Sequence, residues 1–236
     1  GKLLKEGKTV AFPTDTVYGL GAVYNDREAV RRVFKAKGRP ENKPLCILIS
    51  DISQVCLLAA DVPEAAEKLM ERFWPGPLTL ILPVRDCVPK RTTAGLHTVG
   101  VRCPDHAVTR AIIRAAGVPI AAPSANTSGK PSPTTAAHVL EDMDGRVPLI
   151  LNGGPCEVGL ESTVIDMTGP EPRILRPGGV TREMIAAALS GELQTYSTRG
   201  NANSQSGVPV TVTETDEDAR IGVIEMGISE FGEMHR

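Results

Sequence analysis

Short apolar runs of β character, alternating with amphipathic helical stretches, constrain this chain more than any other feature. Residues 9–12, 45–49, 78–82, 99–102, 120–122, 149–151, 163–166 and 174–176 are Val-, Ile-, Leu- and Ala-rich runs bounded by turn-forming residues. Between them lie helical patterns. Residues 25–37 carry Ala29, Val30, Val33 and Phe34 on one stripe. Asn25 with Glu28 reads there as a capping box, and Gly38 as the stop. Residues 61–73 read as a second helix, with Asp61 and Glu64 as its capping pair and Pro75 as its end. Further helices fit residues 107–116, 134–141 and 182–189. This order predicts an α/β (α+β) domain with a central mixed sheet.

The 236 residues can hold one large domain, or one domain plus an appendage. Apolar residues make up 41% and aromatics only 3%, so the core is aliphatic. The formal net charge of −2 excludes a protein that grips nucleic acid by sheer basicity. The five cysteines form no CxxC pair, so a reducing cytoplasm is the expected setting. No apolar run is long enough to span a membrane, and no signal peptide is visible.

Composition shifts near residue 195. The stretch 198–207 is Ser-, Asn- and Gly-rich and reads as a linker. Strand-like residues 208–213 and 221–226 follow, around an acidic run at 214–218. From Tyr196 onward there are seven acidic and three basic residues, so the rest of the chain is close to neutral. The expected division is a main domain over 1–195 and a tail over 196–236 that does not fold independently. Residues from about 198 on are expected to be loosely docked, because isolated strands leave their edges unsatisfied.

Several polar clusters sit at the ends of the apolar runs. Pro13-Thr14-Asp15-Thr16 leads into Val17-Tyr18-Gly19-Leu20-Gly21, and such a loop can present hydroxyls and amides to a small polar ligand. Taken alone it reads as an ordinary turn, with Asp15 as a cap. Lys35, Lys37, Arg39 and Lys43 crowd a helix C-terminus, where cations complement the dipole or bind polyphosphate. Ser124, Asn126, Thr127 and Ser128 follow the run 120–122 directly. Glu161-Ser162-Thr163, Arg176 and Arg102 complete the set. Gly7-Lys8-Thr9 imitates the end of a P-loop but precedes a strand instead of following one. The four histidines lack metal-ligand spacing.

In combination these clusters resemble the YrdC-like threonylcarbamoyl-AMP synthase family. The phrases VAFPTDTVYGLGA, FKAKGRPENKPL, WPGPLTLIL, VGVRCPDH, APSANTSGKPSPTTA, GLESTVID and LRPGGVT occur in that family's order over about residues 3–193. Lys37, Arg39, Ser124 and Asn126 match its KxR…SxN signature. The resemblance implies an open twisted mixed sheet flanked by helices, with a concave ligand cavity.

It also implies an activity. L-Threonine and bicarbonate or CO2 form a carbamate, which attacks the α-phosphate of ATP and releases pyrophosphate. The adenylate product serves threonylcarbamoyladenosine formation beside the tRNA anticodon, through a downstream transferring complex. On this resemblance Lys37, Arg39 and Arg176 face the ATP phosphates, together with Lys43. Arg102 grips the threonine carboxylate, and Thr16, Ser124 and Ser162 position threonine. Thr98, Asn126 and Thr134 contact the nucleotide. Mg²⁺ accompanies ATP, held mainly by phosphates and water. Leu48 stands where many relatives have His, and the Tyr-rich lid motif of longer relatives is not found.

Residues 200–211 and 223–233 resemble a fragment of a Mur ligase, the type that adds D-alanyl-D-alanine to a cell-wall precursor. The P-loop that precedes this segment in such ligases is lacking here, so that activity is not expected. The alternative to a synthase is a non-catalytic module that binds RNA or nucleotide in the same basic concavity.

Overall fold

The computed structural model describes residues 1–190 and the backbone of two further strands, 195–197 and 221–223. Its helices are α1 (Lys2–Lys5), α2 (Arg27–Lys37), α3 (Glu64–Phe73), α4 (Lys90–Thr93), α5 (Ala107–Ala116), α6 (Ala136–Met143) and α7 (Arg182–Leu189). The strands are β1 (Val10–Phe12), β2 (Gly19–Val23), β3 (Ile47–Leu48), β4 (Leu78–Pro83), β5 (Thr98–Arg102), β6 (Ile120–Ala121), β7 (Thr163–Asp166) and β8 (Arg173–Arg176). These eight form one mixed sheet in the order β1-β2-β6-β3-β5-β4-β7-β8. The pairs β3–β5 and β4–β7 are parallel and the others antiparallel.

The sheet has two unlike faces, because side chains alternate along each strand. Ile47, Leu78, Leu80, Leu82, Val99, Val101 and Ile165 point to one face and pack beneath α2, α3, α6 and α7. Burying Val30, Val33 and Phe34 of α2 there contributes about 1.5–3 kcal/mol per side chain. The opposite face is covered at one end only. Leu4 of α1 and Ile112, Ile113 and Ala116 of α5 pack on Val10, Phe12, Leu48 and Ile120. The remainder of that face stays open.

The anticipated helices and strands are present, with local corrections. Asp26, not Asn25, caps α2, since its Oδ1 accepts from the amides of Glu28 and Ala29 at 3.0 Å each. α3 starts at Glu64 with extended Pro63 at its N-cap, so Asp61 lies outside the first turn and caps nothing. Residues 149–151 make one parallel bridge, Ala11 to Ile150, at the edge beside β1. β2 lies in the stretch whose sequence reads as a loop. Its glycines hide it, and Gly21 is required because the Phe12 ring and Ile120 fill the space a Cβ would occupy.

β9 (Thr195–Ser197) and β10 (Ile221–Val223) pair in parallel as a separate two-stranded sheet. β10 falls within the strand expected at 221–226. The expected loose docking of the rest of the tail lies outside the described residues. No helix among the described residues is long and apolar enough to cross a membrane.

Candidate active site

The open part of the second face forms the floor of a cavity of about 310 Å³, at the small end of the range for ligand sites. Alternation decides which residues line it. Cys46 and Leu48, Thr79 and Ile81, Thr98, Gly100 and Arg102, and Ser162 and Val164 face the cavity, while their neighbours enter the core. Thr14, Thr16, Val17, Gly19, Ser124, Arg39, Glu161 and Arg176 supply walls and rim.

Arg102 ends β5 and is almost wholly buried. Its Nε donates to Gly76 O (3.1 Å), Nη1 donates to Thr16 Oγ1 (2.7 Å), and Nη2 pairs with Asp15 Oδ1. The guanidinium is therefore held rigidly, and the burial of its charge is matched by a carboxylate. Asp15 Oδ2 is buried without a hydrogen-bond partner. Thr14 tightens the same turn: its Oγ1 donates to Val17 O (2.7 Å), accepts from Val17 N (3.2 Å) and lies 3.0 Å from Thr16 Oγ1.

On the opposite side Arg176 donates from Nε and Nη2 to Ser162 O, at 3.1 and 2.9 Å, and pairs through Nη1 with Glu161. Ser132 Oγ donates to the other oxygen of Glu161 at 2.5 Å. Ser162 Oγ lies 2.8 Å from Thr79 Oγ1. Arg39 stands just past the left-handed Gly38 that ends α2 and donates from Nη2 to Pro44 O (2.9 Å). Its Nε is buried without a partner. Burial pushes the Arg39 pKa down and the Glu161 carboxylate opposes that shift. Three guanidiniums thus face the cavity, one paired with the lining carboxylate Glu161 and one with Asp15 behind the wall.

Ser124, Arg39, Arg102 and Arg176 come from stretches far apart in sequence and line this single cavity, as do Thr16, Thr98 and Ser162. Four other residues assigned to it from sequence do not line it. Lys37 is 1% exposed. Its Nζ donates to Ser124 O, to Asn126 O (2.6 Å) and to Asn126 Oδ1 (3.1 Å). Its ammonium is therefore engaged by the 124–126 loop. Burial, aided by Arg39, lowers its pKa from 10.5 to about 8, against the pull of Glu161 and Asp142.

Asn126 uses its whole amide inside that loop. Oδ1 accepts from Lys37 and from Ser124 Oγ (2.6 Å), while Nδ2 donates to Thr127 O (3.1 Å) and Lys130 O (2.6 Å). Thr134 Oγ1 lies 3.4 Å from His138 Nδ1, and Lys43 is exposed. Thr79 is not among the polar clusters of the sequence, Asp15 reads there as a turn cap, and Glu161 has no role assigned. Their partners lie 87, 15 and 83 residues away, so no local pattern announces them.

A family model described as Sua5, YciO and YrdC, "Telomere recombination", matches residues 2–178. A curated threonylcarbamoyl-AMP synthase of Bacillus subtilis is 55% identical over 79% of this chain and 54% of its own length. One from Pyrococcus abyssi is 53% identical over 82% and 56% respectively. The chain thus spans about half the length of these relatives. A shorter relative from Mycobacterium tuberculosis, a putative threonylcarbamoyl-AMP synthase, is 38% identical over 79% of this chain and 85% of its own. Among solved structures, P. abyssi Sua5 complexed with L-threonine has a TM-score of 0.79 at 53% identity, covering 80% of this chain and 56% of that one. Escherichia coli YciO gives 0.69 at 27% identity, covering 75% and 86%. On its family match, its relatives and its sheet, the chain belongs to the Sua5–YciO–YrdC family.

Proposed function

We propose that the chain is a threonylcarbamoyl-AMP synthase and that residues 1–195 form its catalytic unit. One observation carries the reading: Arg39, Arg102 and Arg176 converge with Thr16, Ser124 and Ser162 on one cavity. The reactants are a carboxylate, a carbamate and a triphosphate, so fixed cations and hydroxyls are what their encounter requires.

Arg102 offers threonine's carboxylate a fork already oriented by Asp15 and Thr16. Arg39 and Arg176 meet the triphosphate, and Glu161 must yield its hold on Arg176 for this to happen. The Ser124 and Ser162 hydroxyls bracket threonine. The carbamate oxygen attacks the α-phosphate, the bond to the β-phosphate oxygen breaks, and pyrophosphate carries away the electron pair. No side-chain nucleophile takes part; the residues orient reactants and balance charge. Lys37 and Asn126 act through the loop that presents Ser124, as positioning residues.

Mg²⁺ fits as a companion of ATP bound mainly by phosphate and water. Among the described residues no cluster of three or more His, Cys, Asp or Glu could hold a metal, and Glu161, the carboxylate that lines the cavity, is engaged by Arg176. The adenylate would pass to a tRNA-modifying partner, and this chemistry belongs in the cytoplasm. The stretch 200–233, with its likeness to a Mur ligase, lies beyond the family match and takes no part in this reading.

The test is pyrophosphate release from ATP, with mass spectrometry for threonylcarbamoyl-adenylate. Release should require L-threonine and bicarbonate together and be lost in Arg39→Ala. Release without threonine, or unchanged turnover in that variant, rejects the proposal.

A further inference from the structure

A second cavity of about 620 Å³ lies between α2, the turn after α1 and the loop after α6. It shares no lining residue with the first. Four of its eight lining residues are cations (Lys8, Arg32, Lys35 and Arg146) and none is acidic.

How these cations are held matters more than their number. Arg32 Nη1 donates to Gly7 O, and Arg146 Nη1 donates to Ala36 O and Thr127 Oγ1, at 3.3 Å each. Neutral acceptors hold both guanidiniums, and the nearby carboxylates make no hydrogen bond to them: Asp142, already paired with Lys130, acts on Arg146 only through space. Lys35 makes no ion pair among the described residues. Lys8 pairs with Glu6 at 3.2 Å, with both side chains nearly half exposed, so that pair offsets little. Asp26 caps α2 through Oδ1, while its Oδ2 lies beside Gly7 with Arg32 Nη1 and offsets part of that one charge. A concave surface of one sign concentrates positive potential and draws in anions. Guanidinium forks suit phosphate oxygens in particular. The volume exceeds what one phosphate needs.

We propose that this cleft is a binding site for consecutive phosphates of a polyanion, separate from the reaction cavity. The same chemistry serves an RNA phosphodiester backbone and a free oligophosphate. Arg146 bonds to Ala36 and Thr127, the chain neighbours of Lys37 and Asn126, so the cleft shares a wall with the loop that presents Ser124.

The test uses the full chain and two probes, inorganic tripolyphosphate by calorimetry and a labelled single-stranded RNA by anisotropy across a salt series. Arg32→Gln with Lys35→Gln changes two exposed side chains. It is made in the wild-type and Arg39→Ala backgrounds, so that anions held by the first cavity are separated out. In both backgrounds the double substitution should weaken binding at least tenfold at low salt. For RNA it should also flatten the plot of log K against log salt by about 1.4, near 0.7 per lost cation. An effect on RNA alone identifies a nucleic-acid backbone as the ligand; an effect on tripolyphosphate alone identifies a free oligophosphate. Lys8→Gln repeats the test from the other wall should the double variant fold poorly. No binding of either probe, or binding that the substitutions leave intact in the Arg39→Ala background, overturns the proposal.

Discussion

Replacing Lys37 with Met separates two roles for this lysine: meeting phosphate, or fixing the loop that presents Ser124. The ammonium donates to Ser124 O, Asn126 O and Asn126 Oδ1. Methionine fills similar space and donates nothing. Asn126 Oδ1 keeps the Ser124 hydroxyl at 2.6 Å, but the two carbonyls are orphaned at about 1–3 kcal/mol each. Against that, the variant no longer buries a charge. The fall in pKa from 10.5 to about 8 corresponds to about 3 kcal/mol at ~1.4 kcal/mol per pH unit. At pH 7 these terms largely offset, so global stability should fall by no more than about 3 kcal/mol. The loop should nevertheless loosen.

Urea unfolding measures the first effect. Hydrogen exchange at Ala125 and Ser128, whose amides donate to Tyr18 O and Lys37 O, measures the second. Turnover should fall at least a hundredfold as Ser124 loses its fixed place. The pH dependence adds a further check. Between pH about 8 and 10.5 the unfolded chain holds a proton at Lys37 that the folded chain has released. Wild-type stability relative to K37M should therefore rise with pH across that window. A raised KM for ATP with unchanged loop exchange would refute the anchoring role and place Lys37 on phosphate.

Three further perturbations follow from the geometry. Asp15→Asn removes the charge that orients Arg102, so KM for threonine should rise tenfold or more while KM for ATP moves less than threefold; equal changes in both would count against a positioning role. Glu161→Gln weakens the hold on Arg176 and should lower KM for ATP severalfold in steady-state assays, whereas a higher KM would mean that the carboxylate assists nucleotide binding. Gly178→Ala drives a Cβ into the backbone of residues 161–163. The melting temperature should drop by several degrees, with a backbone clash costing about 1–3 kcal/mol, and an unchanged melt would show that the 161–163 turn can give way.

The helices were legible because their apolar stripes are local: Val30, Val33 and Phe34 face the core as their spacing requires. Strands with strong aliphatic runs, such as 78–82 and 99–102, were equally plain. β2 was not, since Gly19 and Gly21 carry no β signal, and Gly21 is explained only by Phe12 and Ile120 packing against it. The capping errors at Asn25 and Asp61 arose because several residues near a helix start can cap, and backbone dihedrals choose among them.

For the site, Arg102, Ser124, Ser162 and Arg176 stand beside apolar runs but singly read as ordinary turns or surface charges; the order of motifs shared with the family is what marks them, because motif order is written in the chain itself. Whether a cation faces a ligand or a backbone carbonyl is a different matter. Lys37 and Arg39 are two residues apart, yet Lys37 is turned into the 124–126 loop and Arg39 toward the cavity. The pairing of Asp15 with Arg102 crosses 87 residues. Such outcomes follow from which strands lie side by side and which face of the sheet is left uncovered, and these are properties of the whole packed chain.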